Sequence, residues 1–523
     1  MRRGEAAGKN EELTGPAPPQ IARRSHWLLL GLLLVAGFFL RMHCLTCKPF
    51  WFDECFSVEA ARLNWSNLAH LLWWREANMS LYYVLLRMWL HFGESPFFIR
   101  SLSVVLATAT VAAVYWLGEL LYDRRVGLIA AALLAFNAYH VRYAQEARSY
   151  ALFVLLATLA SGFLITFVLD PKPRNKWSYV VTSTLAVYSH FYALLLVASH
   201  WLVLRRYGTP GIEGQSNANS RDALSRAWIA IGVAVLPLLI FVAKTGAGPI
   251  RWISRPGLRD LFEFCEHVAG GKNWVLLAIY GIAVSLGVSK IGDGPLVERQ
   301  SWTAWRGRFL MAWLIFPIVL TVLLSFARPV FLGRYMIFCL PALLILVARG
   351  IAKIQKWWLL APVLLGILAL ASQGVSYVYA HDFDNERDAS GATTDFVLDH
   401  AQPGDAILFH IAETRVPYEF FRSVRAGENT ASPEFKAQLG PEIVFPSHGD
   451  SLDYRDFTGK PAEDLVRREA QRHPRIWVML MNNGPTGNPD ATTVMLTRVL
   501  GSAYPKVQSW QFAKVELRVY GRE

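Results

Sequence analysis

The chain has 523 residues, of which 53% are hydrophobic and only 18% are charged. A soluble chain of this length carries about 25% charged residues, so a simple soluble enzyme is excluded. The 19 Trp, 19 Tyr and 30 Phe are typical of a protein whose rings lie at membrane interfaces. The net charge of +12 would suit nucleic acid, but its meaning depends on where the charges lie along the chain.

Apolar blocks recur along the first 379 residues, and most approach the roughly 20 residues that cross a bilayer. The block 177–204 is too long for one span and too short for two full spans, and polar Ser189 and His190 interrupt it. We predict a hairpin of two short helices there, which gives about eleven transmembrane helices. The blocks are 27–42, 98–121, 126–140, 149–169, 177–204, 227–243, 273–289, 309–327, 335–349 and 357–379.

Basic residues in short loops predict the orientation of these helices. With a hairpin at 177–204, every basic cluster falls on one side, which the positive-inside rule assigns to the cytoplasm. The clusters are the N-terminal tail, 122–125, 170–177, 205–226, 290–308 and 349–356. We therefore expect a multi-pass protein of the inner membrane with a cytoplasmic N-terminus. Most of the +12 is then a topological signal, and nucleic acid is not expected as a partner.

The chain divides into three parts by composition. Residues 1–26 predict a disordered cytoplasmic tail, and 27–379 a transmembrane module. Residues 380–523 carry frequent charges and short apolar runs, which predict an extracytoplasmic α/β domain of about 140 residues. We expect strands at 405–410 and 475–480, a hairpin at 505–512 and 514–520, and a helix at 391–400.

The external loop 43–97 contains the adjacent acids Asp53 and Glu54, flanked by aromatic residues. Acids at the edge of the hydrocarbon are costly to desolvate, which favours a functional role. The alternative is an N-cap, with Asp53 and Glu54 beginning a helix at 54–63. The same loop holds Cys44, Cys47 and Cys55. A Cys44–Cys47 bridge would be at most local, and the spacing predicts no zinc site.

The external loop 140–148 places Glu146 and Arg148 between two spans. On a continuous helix Glu146 would share a face with Tyr150 and pair with Arg142. The alternative is a surface ion pair that closes a helical hairpin. The density of polar and aromatic groups favours a functional loop.

Two further external loops, 244–272 and 328–335, carry arginines against the positive-inside bias. Arg251 and Arg334 suit a phosphate, because the guanidinium fork binds two oxygens at once. Snorkelling of the side chains at helix ends is the alternative. His190, at the tip of the predicted hairpin, would contact a ligand or bond the backbone left open by the break.

Several spaced motifs resemble those of the GT-C glycosyltransferases, the relatives of protein O-mannosyltransferases and of the lipid A aminoarabinose transferase. The similarity covers about 45–350. At Asn78-Met79-Ser80 the chain departs from the resemblance, since relatives have a basic residue or His-Pro-Pro there. The matching motifs are Trp51-Phe52-Asp53-Glu54 with Ser57, Leu81-Tyr82-Tyr83-Val84-Leu85-Leu86-Arg87-Met88-Trp89, Tyr143-Ala144-Gln145-Glu146-Ala147-Arg148-Ser149-Tyr150, Tyr188-Ser189-His190-Phe191-Tyr192, and Arg334-Tyr335 with Pro341.

The resemblance implies a GT-C-like module that moves a sugar from a polyprenyl-phosphate donor to an envelope acceptor, whether protein, lipid or glycan. It implies Asp53 as base or as an acid that orients the acceptor, with Glu54 in support. Glu146 is implied as the second acid, which either binds the acceptor or, together with Asp53, holds a divalent cation, Mg²⁺ or Mn²⁺. The implied substrate-binding residues are Arg148, Tyr82, Tyr83, His190, Arg251, Arg334 and Tyr335. Membrane lipids are expected as neighbours.

Two other functions stay open on the sequence. A transporter or flippase for a lipid-linked saccharide would carry ionisable groups near the bilayer midplane and often an inverted repeat. Here the acids cluster at one face and no repeat is visible, which favours an enzyme. An inactive GT-C-like scaffold is the other alternative; the departure at Asn78 favours it, whereas the intact acids disfavour it.

Overall fold

The computed structural model describes residues 20–209, 217–246, 253–271, 273–289, 297–381, 389–427, 440–446, 459–481 and 489–522, with side chains of helical residues omitted at 20–25, 217–221, 297–301 and 303. The predicted tail lies outside these ranges as far as residue 19. The first helix begins at Gln20, earlier than the predicted start of the apolar block at residue 27.

Helices make up the first part of the chain. They are α1 (Gln20–Met42), α2 (Phe52–Arg62), α3 (Trp65–Trp74), α4 (Ser80–Leu90), α5 (Pro96–Leu121), α6 (Arg124–Ala135), α7 (Ala138–Ala144), α8 (Tyr150–Leu169), α9 (Pro173–Ser189), α10 (Ala193–Tyr207), α11 (Asn217–Thr245), α12 (Leu258–Ala269), α13 (Trp274–Val288), α14 (Val297–Ala327), a 3₁₀ helix (Gly333–Cys339), α15 (Leu340–Ala352) and α16 (Trp357–Ala380).

The protein is a polytopic membrane protein, as expected. Six helices of the described ranges are long and apolar enough to span a bilayer, or eight if each of two bent pairs counts as one span. Each predicted block coincides with a helix, but the count of eleven is not confirmed. The arms α9 and α10 have only 17 and 15 residues, and the apolar part of α1, His26–Met42, is also short.

The predicted hairpin at 177–204 is present. His190 stacks on Phe153 near the start of α8, with ring centroids 4.9 Å apart. Further along α10, the His200 ring bonds Ser161 in the middle of α8 at 3.1 Å. Helix α9 therefore runs antiparallel to α8, and α10 returns in the same direction as α8.

The block 126–140 contains a break that the apolar pattern does not reveal. Helices α6 and α7 meet at 61°, and Asn137 caps α7 by accepting a hydrogen bond from the His140 amide. The buried Arg41 guanidinium donates to the carbonyls of Leu134 and Ala135 at the end of α6, both at 3.0 Å. These bonds satisfy the backbone groups that a break inside a membrane leaves open.

Basic residues gather at one end of the bundle, which we call the basic end. There Arg306 donates to the Leu121 carbonyl, and Arg125 to the Ile354 carbonyl. Lys353 bonds the Ser289 carbonyl at 2.7 Å. The opposite end, which we call the domain end, carries loop 43–97 and the C-terminal domain. This arrangement is consistent with the prediction that the basic clusters lie on one side and that loop 43–97 and the C-terminal domain lie on the other.

Residues 389–522 include a five-stranded sheet with helices, the predicted α/β domain. Its elements are α17 (Ser390–His400), β1 (Ala406–Phe409), a 3₁₀ turn (Ala412–Thr414), α18 (Arg415–Arg425), β2 (Glu442–Phe445), α19 (Glu463–Arg472), β3 (Arg475–Met481), α20 (Ala491–Ala503), β4 (Lys506–Phe512) and β5 (Val515–Gly521). The order is β2-β1-β3-β5-β4, with β1 parallel to β2 and β3, and β5 antiparallel to β3 and β4. The predicted strands, hairpin and helix are all present.

The C-terminal domain packs on the helix that carries the two acids of the first loop. Phe420 of α18 stacks on Phe50, with ring centroids 5.1 Å apart. Arg62, at the end of α2, donates to the Ser423 hydroxyl at 3.2 Å. The contact fixes α2 between the membrane helices and the sheet domain.

Candidate active site

Glu54 and Arg100 form a closed ion pair at the domain end. The guanidinium of Arg100 donates to both carboxylate oxygens of Glu54, at 2.8 and 2.7 Å, and both side chains are almost wholly buried. Glu54 also accepts from the Ala147 amide at 2.8 Å. Arg100 donates in addition to the carbonyls of Leu45 and Lys48, each at 2.8 Å. Glu54 therefore holds three segments of chain together and has no face toward solvent.

Asp53 and Arg148 form an open pair beside it. The Asp53 carboxylate lies 3.5 Å from Arg148 Nη2, and its side chain remains 21% exposed. The residue at the helix N-cap is Trp51, with no side-chain cap bond, so the interpretation of Asp53 as an N-cap is wrong. Asp53 lies in the first turn of α2. Asp53 is thus an accessible carboxylate held next to a guanidinium.

The loop around Glu146 is not helical, in contrast to the sequence prediction. Helix α7 ends at Ala144 and α8 begins at Tyr150, so the continuous helix on which Glu146 would share a face with Tyr150 is not formed. Glu146 is 2% exposed and acts electrostatically on Arg100. It therefore lies on the side of the closed pair, while Arg148 crosses to Asp53.

Several buried polar atoms near Arg148 have no hydrogen-bond partner in the described part of the chain. They include the Tyr150 hydroxyl and Nε2 of His190, and Arg148 acts electrostatically on both side chains. Nδ1 of His190 accepts from the Tyr192 amide at 3.2 Å, which is the backbone bond that the break predicts. A neutral imidazole then carries its proton on Nε2 and offers a donor to a ligand.

Arg334 completes this group from the segment after α14. Its guanidinium lies 5.7 Å from the centre of the Trp51 ring and acts electrostatically on Tyr150 and His190. Tyr335 packs against His190, with ring centroids 4.7 Å apart. Arg148, Tyr150, His190, Arg334 and Tyr335, which we call the anion cluster, therefore bring two guanidiniums and two unpartnered polar atoms together beside Asp53.

A cavity of about 310 Å³ adjoins the anion cluster at Arg334. Its walls come from α7, α12 and the segment that precedes α15. The lining residues include Tyr139, Tyr143, Phe264, His267 and Arg334. Arg251, which the sequence suggests as a phosphate ligand, lies outside the described residues.

The two tyrosines of the first-loop helix α4 have different environments. The Tyr82 hydroxyl bonds Ser103 of α5 at 3.0 Å, and the side chain is fully buried. The Tyr82 hydroxyl is therefore engaged by Ser103, and its role as a substrate ligand stays a prediction. Tyr83 instead lies in the field of Glu76, Arg148 and Asp53.

Two glutamates near Asp53, Glu76 and Glu413, were not among the site residues predicted from the sequence. Burial, together with the charge of Asp53, raises the pKa of Glu76 to about 7, although Arg148 opposes the shift. Burial and then Asp53 raise the pKa of Glu413 in the C-terminal domain to about 7. Both side chains are partly exposed. The only sequence signal at Glu76 is an acid beside Trp73-Trp74, and at Glu413 an acid soon after a predicted strand.

The Asn78 position, where relatives have a basic residue, has a structural role here. Its side-chain oxygen accepts from the Phe191 amide at 3.0 Å, directly after His190. Ser80 bonds the Tyr188 carbonyl at 3.2 Å on the other side of the break. Residues 78–80 thus hold the connection between α9 and α10 in place by hydrogen bonds. The positive charge of the site comes from Arg148 and Arg334.

The residues present do not fit the divalent cation that the resemblance implies. Across the described ranges, no three Asp, Glu, His or Cys side chains lie together as possible cation ligands. The Arg148 guanidinium already occupies the neighbourhood of Asp53. A cation at Asp53 would therefore be repelled by the positive charge of Arg148.

The whole chain is similar in fold to solved membrane glycosyltransferases. ArnT from Cupriavidus metallidurans, in the apo state, has a TM-score of 0.61 at 12% identity, over 96% of this chain and 99% of that one. The same enzyme bound to undecaprenyl phosphate gives 0.58 at 13% identity, over 95% and 98%.

Two more distant structures share the fold. The mycobacterial arabinofuranosyltransferase AftD gives a TM-score of 0.51 at 15% identity, over 96% of this chain and 40% of that one. The oligosaccharyltransferase AglB of Archaeoglobus fulgidus, in complex with an inhibitory peptide and a dolichol-phosphate, gives 0.50 at 9% identity, over 94% and 80%.

No protein-family model matches the chain, and no curated protein matches it by sequence. The likeness to solved structures is one of fold. The GT-C fold that the spaced motifs imply is therefore confirmed over nearly the whole chain.

Proposed function

We propose that this protein, which has the GT-C fold, is a glycosyltransferase that uses a polyprenyl-phosphate-linked sugar as donor. The acceptor belongs to the cell envelope and approaches from the domain end, which we place outside the inner membrane, with the N-terminus in the cytoplasm. The observation that carries the proposal is the anion cluster: two arginines and two buried, unpartnered polar atoms next to an accessible carboxylate.

The anion cluster suits a phosphate that enters from the bilayer. Guanidiniums bind phosphate oxygens through paired hydrogen bonds, and the His190 Nε2 proton adds a further donor. The structurally similar ArnT and AglB were solved with undecaprenyl phosphate and dolichol-phosphate, respectively, which supports a lipid phosphate as the ligand here. Since Asn78 supplies no positive charge, Arg148 and Arg334 carry this role in our proposal.

The proposed reaction is a direct displacement with inversion at the anomeric carbon. The acceptor oxygen forms a bond to that carbon while the bond to the lipid phosphate oxygen breaks, and the leaving phosphate keeps the electron pair. Asp53 takes the proton of the acceptor hydroxyl as general base. Arg148 and Arg334 stabilise the charge that develops on the phosphate. Glu54 acts as a positioning residue, since it has no access to substrate.

The first experiment measures the proposed phosphate site directly. Wild type and the variant Arg334→Gln are purified in lipid nanodiscs, and undecaprenyl phosphate is titrated against both. We expect the variant to bind about 10- to 100-fold more weakly, because it loses a charge-assisted hydrogen bond. Arg328→Gln is the matched control, because Arg328 is an exposed arginine of the same segment. Equal affinities for all three proteins would remove Arg334 from the phosphate site.

The second experiment separates the enzyme from its alternatives. Cells with and without the gene receive a labelled polyprenyl-phosphate sugar, and label is followed in envelope polymers and on the lipid carrier. Gene-dependent transfer to an acceptor supports the glycosyltransferase. Gene-dependent movement of intact donor across the membrane would support a flippase, and no change in either would support a scaffold; both contradict the proposal.

A further inference from the structure

The C-terminal domain brings one carboxylate to the edge of the proposed site. Glu413 lies in the short 3₁₀ turn that follows β1, and its neighbour Ala412 donates to the Gly459 carbonyl at 3.0 Å. The turn leads directly into α18, which packs on α2 through the stacked rings of Phe50 and Phe420. Glu413 therefore lies in the turn next to the contact between the sheet domain and the helix that carries Asp53.

The Glu413 carboxylate is partly buried in the turn that leads into the contact between α18 and α2. Burial and then the charge of Asp53 raise its pKa, which agrees with a position near that acid. Within the described ranges its side chain makes no hydrogen bond or ion pair. An acid that is desolvated, repelled by a neighbouring acid and not paired is unfavourable for folding.

The nearby Glu419, in contrast to Glu413, is paired with two arginines. It accepts from Arg415 at 2.9 Å and from Arg422 at 2.6 Å, so both arginines of the segment are engaged by it. Glu413 lies two residues before Arg415 and shares neither bond. The segment thus contains one satisfied glutamate and one that is left for a ligand.

The chemistry of the ligand follows from charge. The donor phosphate would be repelled by Glu413 and is accommodated by the anion cluster instead. A carboxylate without a partner binds groups that donate hydrogen bonds, such as hydroxyls. Tyr83, whose buried hydroxyl lies in the field of Glu76, Arg148 and Asp53, adds a polar group on the membrane side of the same space.

We propose that Glu413 holds the acceptor, by accepting a hydrogen bond from a hydroxyl next to the one that Asp53 deprotonates. The C-terminal domain then forms the acceptor-facing wall of the site, and the acceptor is a polyhydroxylated group such as a sugar residue. This inference rests on the proposed glycosyl transfer. It assigns the acceptor to one domain and the donor phosphate to the other.

The test compares wild type with Glu413→Gln, Glu413→Asp and the control Glu442→Gln in nanodiscs. Glu442 is an exposed glutamate of the same domain. Each protein receives labelled polyprenyl-phosphate sugars and increasing amounts of a delipidated envelope glycan extract. Undecaprenyl phosphate affinity and thermal unfolding are measured on the same preparations.

We expect Glu413→Gln to raise the acceptor KM about 10- to 100-fold, with unchanged affinity for undecaprenyl phosphate. The variant should also lack the rise in acceptor affinity that we expect of wild type as pH increases through about 7, because the ionised carboxylate is a stronger hydrogen-bond acceptor than the protonated acid or an amide. Glu413→Asp should recover part of the acceptor affinity, and Glu442→Gln should match wild type.

Three results would overturn the inference. A Glu413→Gln enzyme with the wild-type acceptor KM removes Glu413 from acceptor binding while leaving the proposed function in place. Equal losses in acceptor and undecaprenyl phosphate affinity indicate a structural role for Glu413. Wild type that transfers no label to any acceptor contradicts the proposed function, and the inference with it.

Discussion

Two arginine–carboxylate pairs lie side by side at the domain end, and they differ in almost every property. Glu54 and Arg100 are buried, joined to each other by two hydrogen bonds, and bonded to the backbone at Ala147 and at Leu45. Asp53 and Arg148 are 3.5 Å apart, the Asp53 side chain is partly exposed, and buried polar atoms without hydrogen-bond partners lie nearby. Adjacent residues of one motif therefore have separate tasks: the closed pair fixes the loop, and the open pair is available for chemistry.

The two acids have different environments because adjacent residues of a helix point in different directions. Asp53 and Glu54 are neighbours on α2, so their side chains diverge by about 100° around the helix. Glu54 points into the packing against α5, whereas Asp53 faces Arg148 and the space shared with the C-terminal domain. A motif of two acids is thus one structural acid and one candidate base.

The largest expected effect on stability comes from opening the closed pair. Glu54→Ala leaves the Arg100 guanidinium buried without its carboxylate, which costs about 3–5 kcal/mol. Thermal unfolding of the purified protein in detergent measures it, and the same variant should be extracted in lower yield. The control Glu94→Gln breaks the partly exposed Arg62–Glu94 pair, which is worth at most about 1 kcal/mol. Equal unfolding temperatures for both variants would contradict the structural role of Glu54.

A smaller, pH-dependent effect on stability is expected from Glu76, which lies near the open Asp53–Arg148 pair. Burial raises the pKa of Glu76 from 4.5 to about 7, so the folded protein binds this proton more tightly than the unfolded chain. Stability from the protonated form is present below about 4.5 and is lost as pH rises through about 7. Glu76→Gln cannot ionise, so its stability relative to wild type should increase by about 1–3 kcal/mol between pH 5 and 8.

Unfolding curves of wild type, Glu76→Gln and Glu442→Gln across pH 5–8 provide the measurement. Glu442→Gln should run parallel to wild type, since it changes an exposed carboxyl elsewhere in the molecule. A Glu76→Gln curve that also runs parallel to wild type would show that Glu76 is not desolvated, and the contrast between the closed and open groups would weaken.

The sequence predicts the architecture better than the site. Periodic apolar runs and loop charges give the helices, the hairpin at His190 and the strands of the C-terminal domain, because these depend on local composition. The break at Asn137 does not show in the pattern, since Arg41 satisfies its open backbone from about 95 residues away. Likewise, Glu76 and Glu413 belong to the site only because distant segments meet, and no local signal marks that meeting.

The motifs name candidate site residues, but they do not show which of these residues lie close together in the folded protein. Asp53, Arg148 and Arg334 do come together, whereas Tyr82 is turned into the packing by its bond to Ser103. Whether Glu54 faces substrate depends on its pairing with Arg100, 46 positions away along the chain. Such pairings are properties of the tertiary structure, so a motif names candidates without ranking them.

The most direct test of the account is sugar transfer by Asp53→Asn, measured beside its thermal unfolding. Both are compared with wild type and with Asp170→Asn, an exposed carboxylate beyond the end of α8. Loss of a general base lowers rates by about 10²–10⁴-fold. We predict a loss of transfer of this size for Asp53→Asn, whereas its unfolding temperature and its membrane insertion should equal those of wild type. Wild-type rates of transfer in Asp53→Asn would contradict the assignment of the open pair as the catalytic centre.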